Sequence, residues 1–232
     1  MKSIQTFVDE TIKEDNKKKR ADYTQSSWHA SSLGNCLRGT YLQRLGVEPD
    51  EPMKVGTLRK FKAGELFEEW LIDLLRKNKD IKDVETQTRV ESKLYNLSGR
   101  LDAMLTYKDG TKEVIECKSQ NSRSFWWNIK NGNVAHRHHM YQLWVYLKTL
   151  KIENGTIVYI SKDDLSIQEY PVKLQDKKLA KEVIDILTLL NKSWKEQNPL
   201  LLPLPEKGSW QEKWCPFHNH CIDEKYLLSL PK

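Results

Sequence analysis

At 232 residues, with 38% hydrophobic and 30% charged side chains, the chain has enough apolar material for one core but hardly for two full domains. Eight tryptophans, nine tyrosines and five phenylalanines exclude a disordered tail protein, since groups this large offset the entropy of ordering a chain. The net charge of +6 leans toward a polyanionic partner. Residues 1–20 hold no apolar targeting segment, and no apolar run approaches the roughly 20 residues of a bilayer span, so the expectation is a cytoplasmic protein without a membrane partner. Its cysteines, Cys36, Cys117, Cys215 and Cys221, are then expected to be reduced, as metal ligands or core residues.

In chain order, Lys17, Lys18, Lys19 and Arg20 fall in a charged run from Asp15 to Asp22, read as a solvated helix end or basic arm within an N-terminal segment 1–27. Ser31 and Ser32 offer a helix cap before Leu33, Leu37, Tyr41 and Leu45, whose four-residue recurrence predicts a short helix carrying Cys36. A second helix is expected over 55–77, with Leu58, Phe61, Phe67, Trp70, Leu71 and Leu74 as its apolar set and Glu65, Glu68 and Glu69 interleaved. The period then turns to alternation: 84–97 reads as extended, 99–107 as a strand, Lys108-Asp109-Gly110 as a hairpin turn and 111–119 as the returning strand. On that last strand Glu116 and Lys118 share one face, and Cys117 points the other way as a core residue. A helix over 137–150 shows Met140, Leu143, Trp144, Leu147 and Leu150 on one face and His139, Gln142 and Tyr146 on a polar second face. Strands at 156–160 and 167–174, then a long helix at 176–197, complete an ααβββαββα order, followed by a Pro- and Leu-rich linker and a tail, 210–221.

Asp102 on one strand, Glu116 and Lys118 on its partner and Glu68 on the preceding helix form an acidic cluster with one lysine. Converging carboxylates repel one another and favour a hard divalent cation, magnesium or manganese. Such an ion beside a lysine suits hydrolysis of a phosphodiester. Glu116 and Lys118 by themselves would read as a solvated strand pair, and it is their combination with Asp102 and Glu68 that points to catalysis. His136, Arg137, His138 and His139 read as a surface or phosphate-contacting edge, with His139 open to a DNA contact. Phe125, Trp126 and Trp127, between Arg123 and Lys130, read either as a stacking platform for single-stranded DNA or as core packing.

Gly99-Arg100-Leu101-Asp102 followed by Val114-Ile115-Glu116-Cys117-Lys118 resembles the core motif of the PD-(D/E)XK nucleases, and is most similar to their RecB-like branch, which includes AddB nuclease domains, phage exonucleases and CRISPR-associated adaptation nucleases. Ser31-Ser32-Leu33 with Cys36 and Arg38 resembles the N-terminal element of that branch, Gly64 to Glu68 its Gly-x-x-x-His helix motif, Gln142 to Tyr146 its Gln-x-x-x-Tyr motif, and Cys215 to Cys221 its final pair of iron–sulfur cysteines. The resemblance covers about 28–221. It implies an α/β, restriction-endonuclease-like core over 28–198, a central mixed sheet flanked by helices, with a tail 199–232 packing back on Cys36.

The resemblance further implies that Asp102 and Glu116 ligate magnesium or manganese, that the Cys117 carbonyl adds a ligand, that Lys118 is the catalytic lysine, and that Gln142 and Tyr146 position the DNA strand or scissile phosphate. Arg100, Trp126, Trp127 and His139 are the candidate DNA contacts. Glu68 stands where the family has a histidine and still suits a hard cation, with Glu65 as its alternative. Of four cluster positions, Cys36, Cys215 and Cys221 fill three and Glu212 stands at the other. An ordinary [4Fe-4S] shell uses four thiolates, so His218, His220 and Glu212 are candidate fourth ligands, and iron–sulfur, zinc and a vestigial site stay open. The implied activity is metal-dependent cleavage of DNA from ends, single strands included, in recombination, repair or CRISPR adaptation, with recombination, helicase or adaptation proteins as partners. The alternative is a weakly active or inactive DNA-end-binding scaffold subunit.

Overall fold

The computed structural model describes residues 2–21 and 26–230. The first charged run is helical as far as α1 (Ile4–Ala21), while Asp22 lies outside the described residues. The helix expected to carry Cys36 begins later than the serines suggest. Trp28–His29 form a short strand, β1, Ala30–Ser32 make a 3-10 turn, and Gly34, at φ +91°, reverses the chain. Cys36 itself then caps α2 (Leu37–Leu45), its sulfur accepting the Gly39 amide at 3.4 Å. The next helix, α3 (Val55–Arg76), is tied to α1 by Arg59, whose guanidinium donates to Asp9 at 2.5 to 2.7 Å. Leu58 and Leu71 of its expected apolar set are buried, together with Ile72. Phe61 and Leu74 are 57% and 47% exposed, because only one side of α3 meets the sheet.

The extended stretch at 84–97 is not one element. Positive φ at Gln87 and Asn96 divides it into β2 (Ile81–Thr86), β3 (Arg89–Ser92) and β4 (Leu97–Arg100). After β4 the chain bends at Leu101 and Asp102 into β5 (Ala103–Tyr107), and the turn at 108–110 returns it as β6 (Lys112–Gln120). Asp102 therefore lies on a bend between strands and not within one. Then come α4 (Ser122–Lys130), capped by the Asn121 side chain and missing from the expected order, and α5 (Arg137–Leu150). β7 (Asn154–Ser161), β8 (Ile167–Lys173) and α6 (Lys177–Lys195) follow, and the tail forms α7 (Trp210–Lys213), α8 (His218–Ile222) and α9 (Glu224–Ser229).

β2-β5-β6-β7-β8 make a five-stranded mixed sheet, parallel only between β6 and β7. That parallel pair needs a crossover, which α4 and α5 supply. A second, three-stranded sheet, β1-β4-β3, was not legible as separate from the first. Leu143 and Leu147 of α5 and Val183 and Leu187 of α6 pack on one side with Ile157, while Leu71 and Ile72 of α3 pack on the other with Leu105, Ile115 and Val158. The polar face of α5 is buried too, since Gln142 and Tyr146 are 7% and 1% exposed. Arg44 is sandwiched between Trp28 and Trp194, 4.3 and 4.1 Å from the ring centroids, which joins β1 to α6 through α2. Among the described residues no helix is long and apolar enough to cross a membrane.

Gly99 is dictated by Tyr146. A β-carbon there would meet the tyrosine hydroxyl at 2.6 Å, and that hydroxyl donates to the Arg100 carbonyl at 3.1 Å. Gly99→Ala is expected to cost about 1–3 kcal/mol by overpacking, read as a lower urea midpoint with an unchanged denaturant slope.

Candidate active site

The site forms where the chain leaves the small sheet for the large one. The β5–β6 ladder ends at Ala103 opposite Ile115, so the amide of Cys117 has no strand partner on that side. It donates instead to Asp102 Oδ2 at 2.8 Å, which fixes the carboxylate against β6. Glu116, in the middle strand of the large sheet, has no exposed surface. Its Oε1 pairs with Lys118 and its Oε2 is buried without a partner. Glu68 reaches in from α3, where its Oε1 accepts from Gln87 Nε2 at 2.5 Å.

These groups perturb one another. Burial pushes the Glu68 carboxyl up to about 7, helped by the charge of Asp102. Burial likewise raises Asp102, against the pull of Lys118, and lifts Glu116 to about 8 despite the Lys118 ammonium beside it. For Lys118, burial works against the charged form, but Glu116 and then Asp102 outweigh it and hold the ammonium above the ordinary lysine value. Three carboxylates above their usual range, one with an unpartnered buried oxygen, are a donor set that fits a hard dication.

Glu68, Asp102, Cys117 and Lys118 line an open cleft of about 1060 Å³, together with Lys60, Phe61, Arg123, Trp127, His136 and Lys162. Glu65 also borders it, with Lys62 paired to its carboxylate at 2.8 Å. Trp127 presents 60% of its surface. Trp126 is turned away from the cleft and donates through Nε1 to Asp164 at 3.1 Å. Other candidates lie elsewhere as well. Arg100 is exposed at the end of β4, outside the cleft lining. His139 is turned to the Tyr159 hydroxyl at 2.7 Å, and burial holds its ring far below the usual histidine value. Gln142 donates to Tyr146 at 3.3 Å, and both lie under the bend that carries Asp102. Phe61, Lys60 and Lys162 are cleft residues that no sequence motif marks. Phe61 sat inside a helical apolar pattern, and only its exposure distinguishes it from Leu58 and Leu71. The Cys117 thiol lies in the α3-side core as expected, pushed up to about 12 by burial.

A second cluster forms away from the cleft. The Sγ atoms of Cys36, Cys215 and Cys221 all lie within 4.8 Å of one another, a set that can hold a metal ion. Among the described residues no histidine or carboxylate joins them. His218 is outside the group, His220 Nδ1 faces Asp50 at 2.5 Å, and Glu212 accepts from the Gly208 amide at 2.5 Å. The short α8 carries both histidines past the sulfurs while Cys221 turns inward.

The mixed sheet, the acid at the bend before β5 and the Glu-x-Lys of β6 define a PD-(D/E)XK nuclease fold. More narrowly, the chain is similar to proteins of the Cas4 and alkaline exonuclease type. It is 28% identical over 141 residues to the CRISPR-associated exonuclease Cas4 of Saccharolobus solfataricus, an alignment spanning 60% of this chain and 59% of that protein. The crystal structure of SSO0001 superposes with a TM-score of 0.62 at 20% identity, covering 95% of this chain and 98% of that one. The alkaline exonuclease LHK-Exo from Laribacter hongkongensis gives 0.55 at 14% identity, over 77% and 95% of the two chains. Its structure in complex with dAMP gives 0.52 at 15% identity, over 74% and 91%. No protein-family model matches the chain.

The raised carboxyls carry a stability signature. A group whose folded pKa lies above its unfolded value of 4.5 favours the folded state at low pH and loses that contribution as pH rises through the folded value, about 7 for Glu68 and about 8 for Glu116. The metal-free protein is expected to lose stability between about pH 4.5 and 8. Glu68→Gln should flatten that slope, and magnesium should restore stability at the upper end, measured by thermal melts across pH.

Proposed function

We propose that the chain is a divalent-metal-dependent deoxyribonuclease that acts on DNA ends, single strands included, in recombination, repair or CRISPR adaptation. The observation that carries this reading is the convergence of Glu68, Asp102 and Lys118 on one basic, aromatic-lined cleft, with Glu116 buried beside them. Glu68, Asp102 and Glu116, with the Cys117 carbonyl, would hold magnesium or manganese. Such an ion supplies Lewis acidity toward a phosphate oxygen and lowers the pKa of water. Glu116 holds the Lys118 ammonium in place, where it donates to phosphate oxygens as charge builds on them. Gln142 and Tyr146 act one layer below: the tyrosine hydroxyl grips the Arg100 carbonyl and so orients the bend that presents Asp102.

Lys60, Arg123 and Lys162 give the cleft positive charge for backbone phosphates. Trp127 and Phe61, on α4 and α3, offer exposed ring faces on which unpaired bases can stack. Blunt duplex ends give such rings only their terminal pair, so the cleft suits a frayed or single-stranded end.

The test is an end-labelled degradation assay on single- and double-stranded DNA with magnesium, manganese or EDTA. Metal-dependent loss of label is expected, reduced at least about 10²-fold in Lys118→Ala. Wild-type protein that binds DNA but cleaves nothing in any metal would put the scaffold reading in its place. Trp127→Ala is expected to weaken single-strand binding about fivefold or more without shifting the melting temperature, measured by fluorescence anisotropy in EDTA.

A further inference from the structure

We propose that Cys36, Cys215 and Cys221 form a site for a single tetrahedral thiophilic ion, zinc, and that the pocket does not fit a [4Fe-4S] cluster. The inference is independent of the nuclease reading.

Sulfur spacing carries it. Cys215 and Cys221 Sγ are 3.6 Å apart, Cys36 and Cys221 Sγ 3.8 Å. Thiolates bound to one zinc at about 2.3 Å in a tetrahedron stand about 3.8 Å from one another. In a [4Fe-4S] cube each thiolate binds a different iron, which spreads the sulfurs to roughly 6 Å. Widening this set by that much would drive α2 and the tail apart, and their contact is tight. A β-carbon on Gly39 would meet Cys215 Sγ at 2.9 Å, so the glycine is what lets the tail sulfur approach the first turn of α2. Nor are the sulfurs paired as a disulfide, for all three cysteines are free.

Charge and space agree with one ion. Three thiolates on a dication leave one net negative charge. Arg38 lies buried beside it, its guanidinium donating to the carbonyls of Cys221 at 3.0 Å and Leu202 at 2.8 Å, and among the described residues no carboxylate pairs with it. The Gly39 amide donates to Cys36 Sγ from the N-terminal turn of α2, where the helix dipole favours negative charge. Among the described residues no protein group supplies the fourth position, but a cavity of about 90 Å³ borders Cys36 and Cys215 and is lined also by Asn35 and Gln43. It has room and polar partners for a water molecule.

The experiment is metal and acid-labile sulfide analysis of the full chain, purified without oxygen and then exposed to iron and sulfide under reconstitution conditions. About one zinc per chain, no bound sulfide and no brown colour are expected. Cobalt exchange should give the intense red-region absorption of a tetrahedral thiolate site. Cys215→Ser, at the half-exposed ligand, should lose the metal while circular dichroism keeps the helical signal, and Cys117→Ser should retain it. Iron and sulfide in comparable amounts, a chain that holds neither metal, or zinc retained at full occupancy in Cys215→Ser would each overturn the proposal.

Discussion

A carboxylate with no solvent exposure is costly to ionise unless its partners are fixed around it, and Glu116 imposes that requirement at the centre of the large sheet. Lys118, two residues on along the same strand, supplies the counter-charge, and the amide between them belongs to Cys117, which anchors Asp102. One stretch of three residues thus sets the position of two acids and a base. The helix below is recruited to the same end. Tyr146 fills the space left by Gly99 and holds the backbone that turns into Asp102, so a packing contact and a hydrogen bond specify an electrostatic arrangement.

The place of this cluster follows from topology. β6 and β7 are the parallel pair of the large sheet, and the crossover between them leaves a gap beyond their carboxyl ends. Lys162, whose amide donates to the Gln120 carbonyl at 2.8 Å, closes that end, and α3 and α4 bring Phe61 and Trp127 to its two sides. A rigid sheet therefore presents the acids, while the side chains that would meet a nucleic acid stand on helices and loops around it.

Much of this was legible in the sequence, for reasons particular to each element. The alternation of β6 and its tight turn put Glu116 and Lys118 on one face, and α5 ran over the residues its period indicated. The bend at Asp102 was not legible, because a chain that passes from one sheet to another keeps an extended pattern throughout. α4 escaped because aromatic residues next to Ser122 and Asn121 carry little helical periodicity, and the Asn121 cap shows only in its hydrogen bond to the Ser124 amide. Gln142 and Tyr146 read as a polar second face of the helix. They are buried because their partners are a main-chain carbonyl and each other, and nothing in a linear pattern reveals such partners. The three sulfurs were recognisable as a group, but their spacing exists only in three dimensions.

The contact between Cys36 and Cys221 joins residues 185 positions apart. A chain must lose most of its loop freedom before two such points can meet, and contacts of this span slow folding when they belong to the nucleus. During synthesis α2, with Cys36 at its start, leaves the ribosome before both sheets are complete and waits until its partner in α8 emerges. The sheet and its acids can therefore assemble before the tail closes over α2.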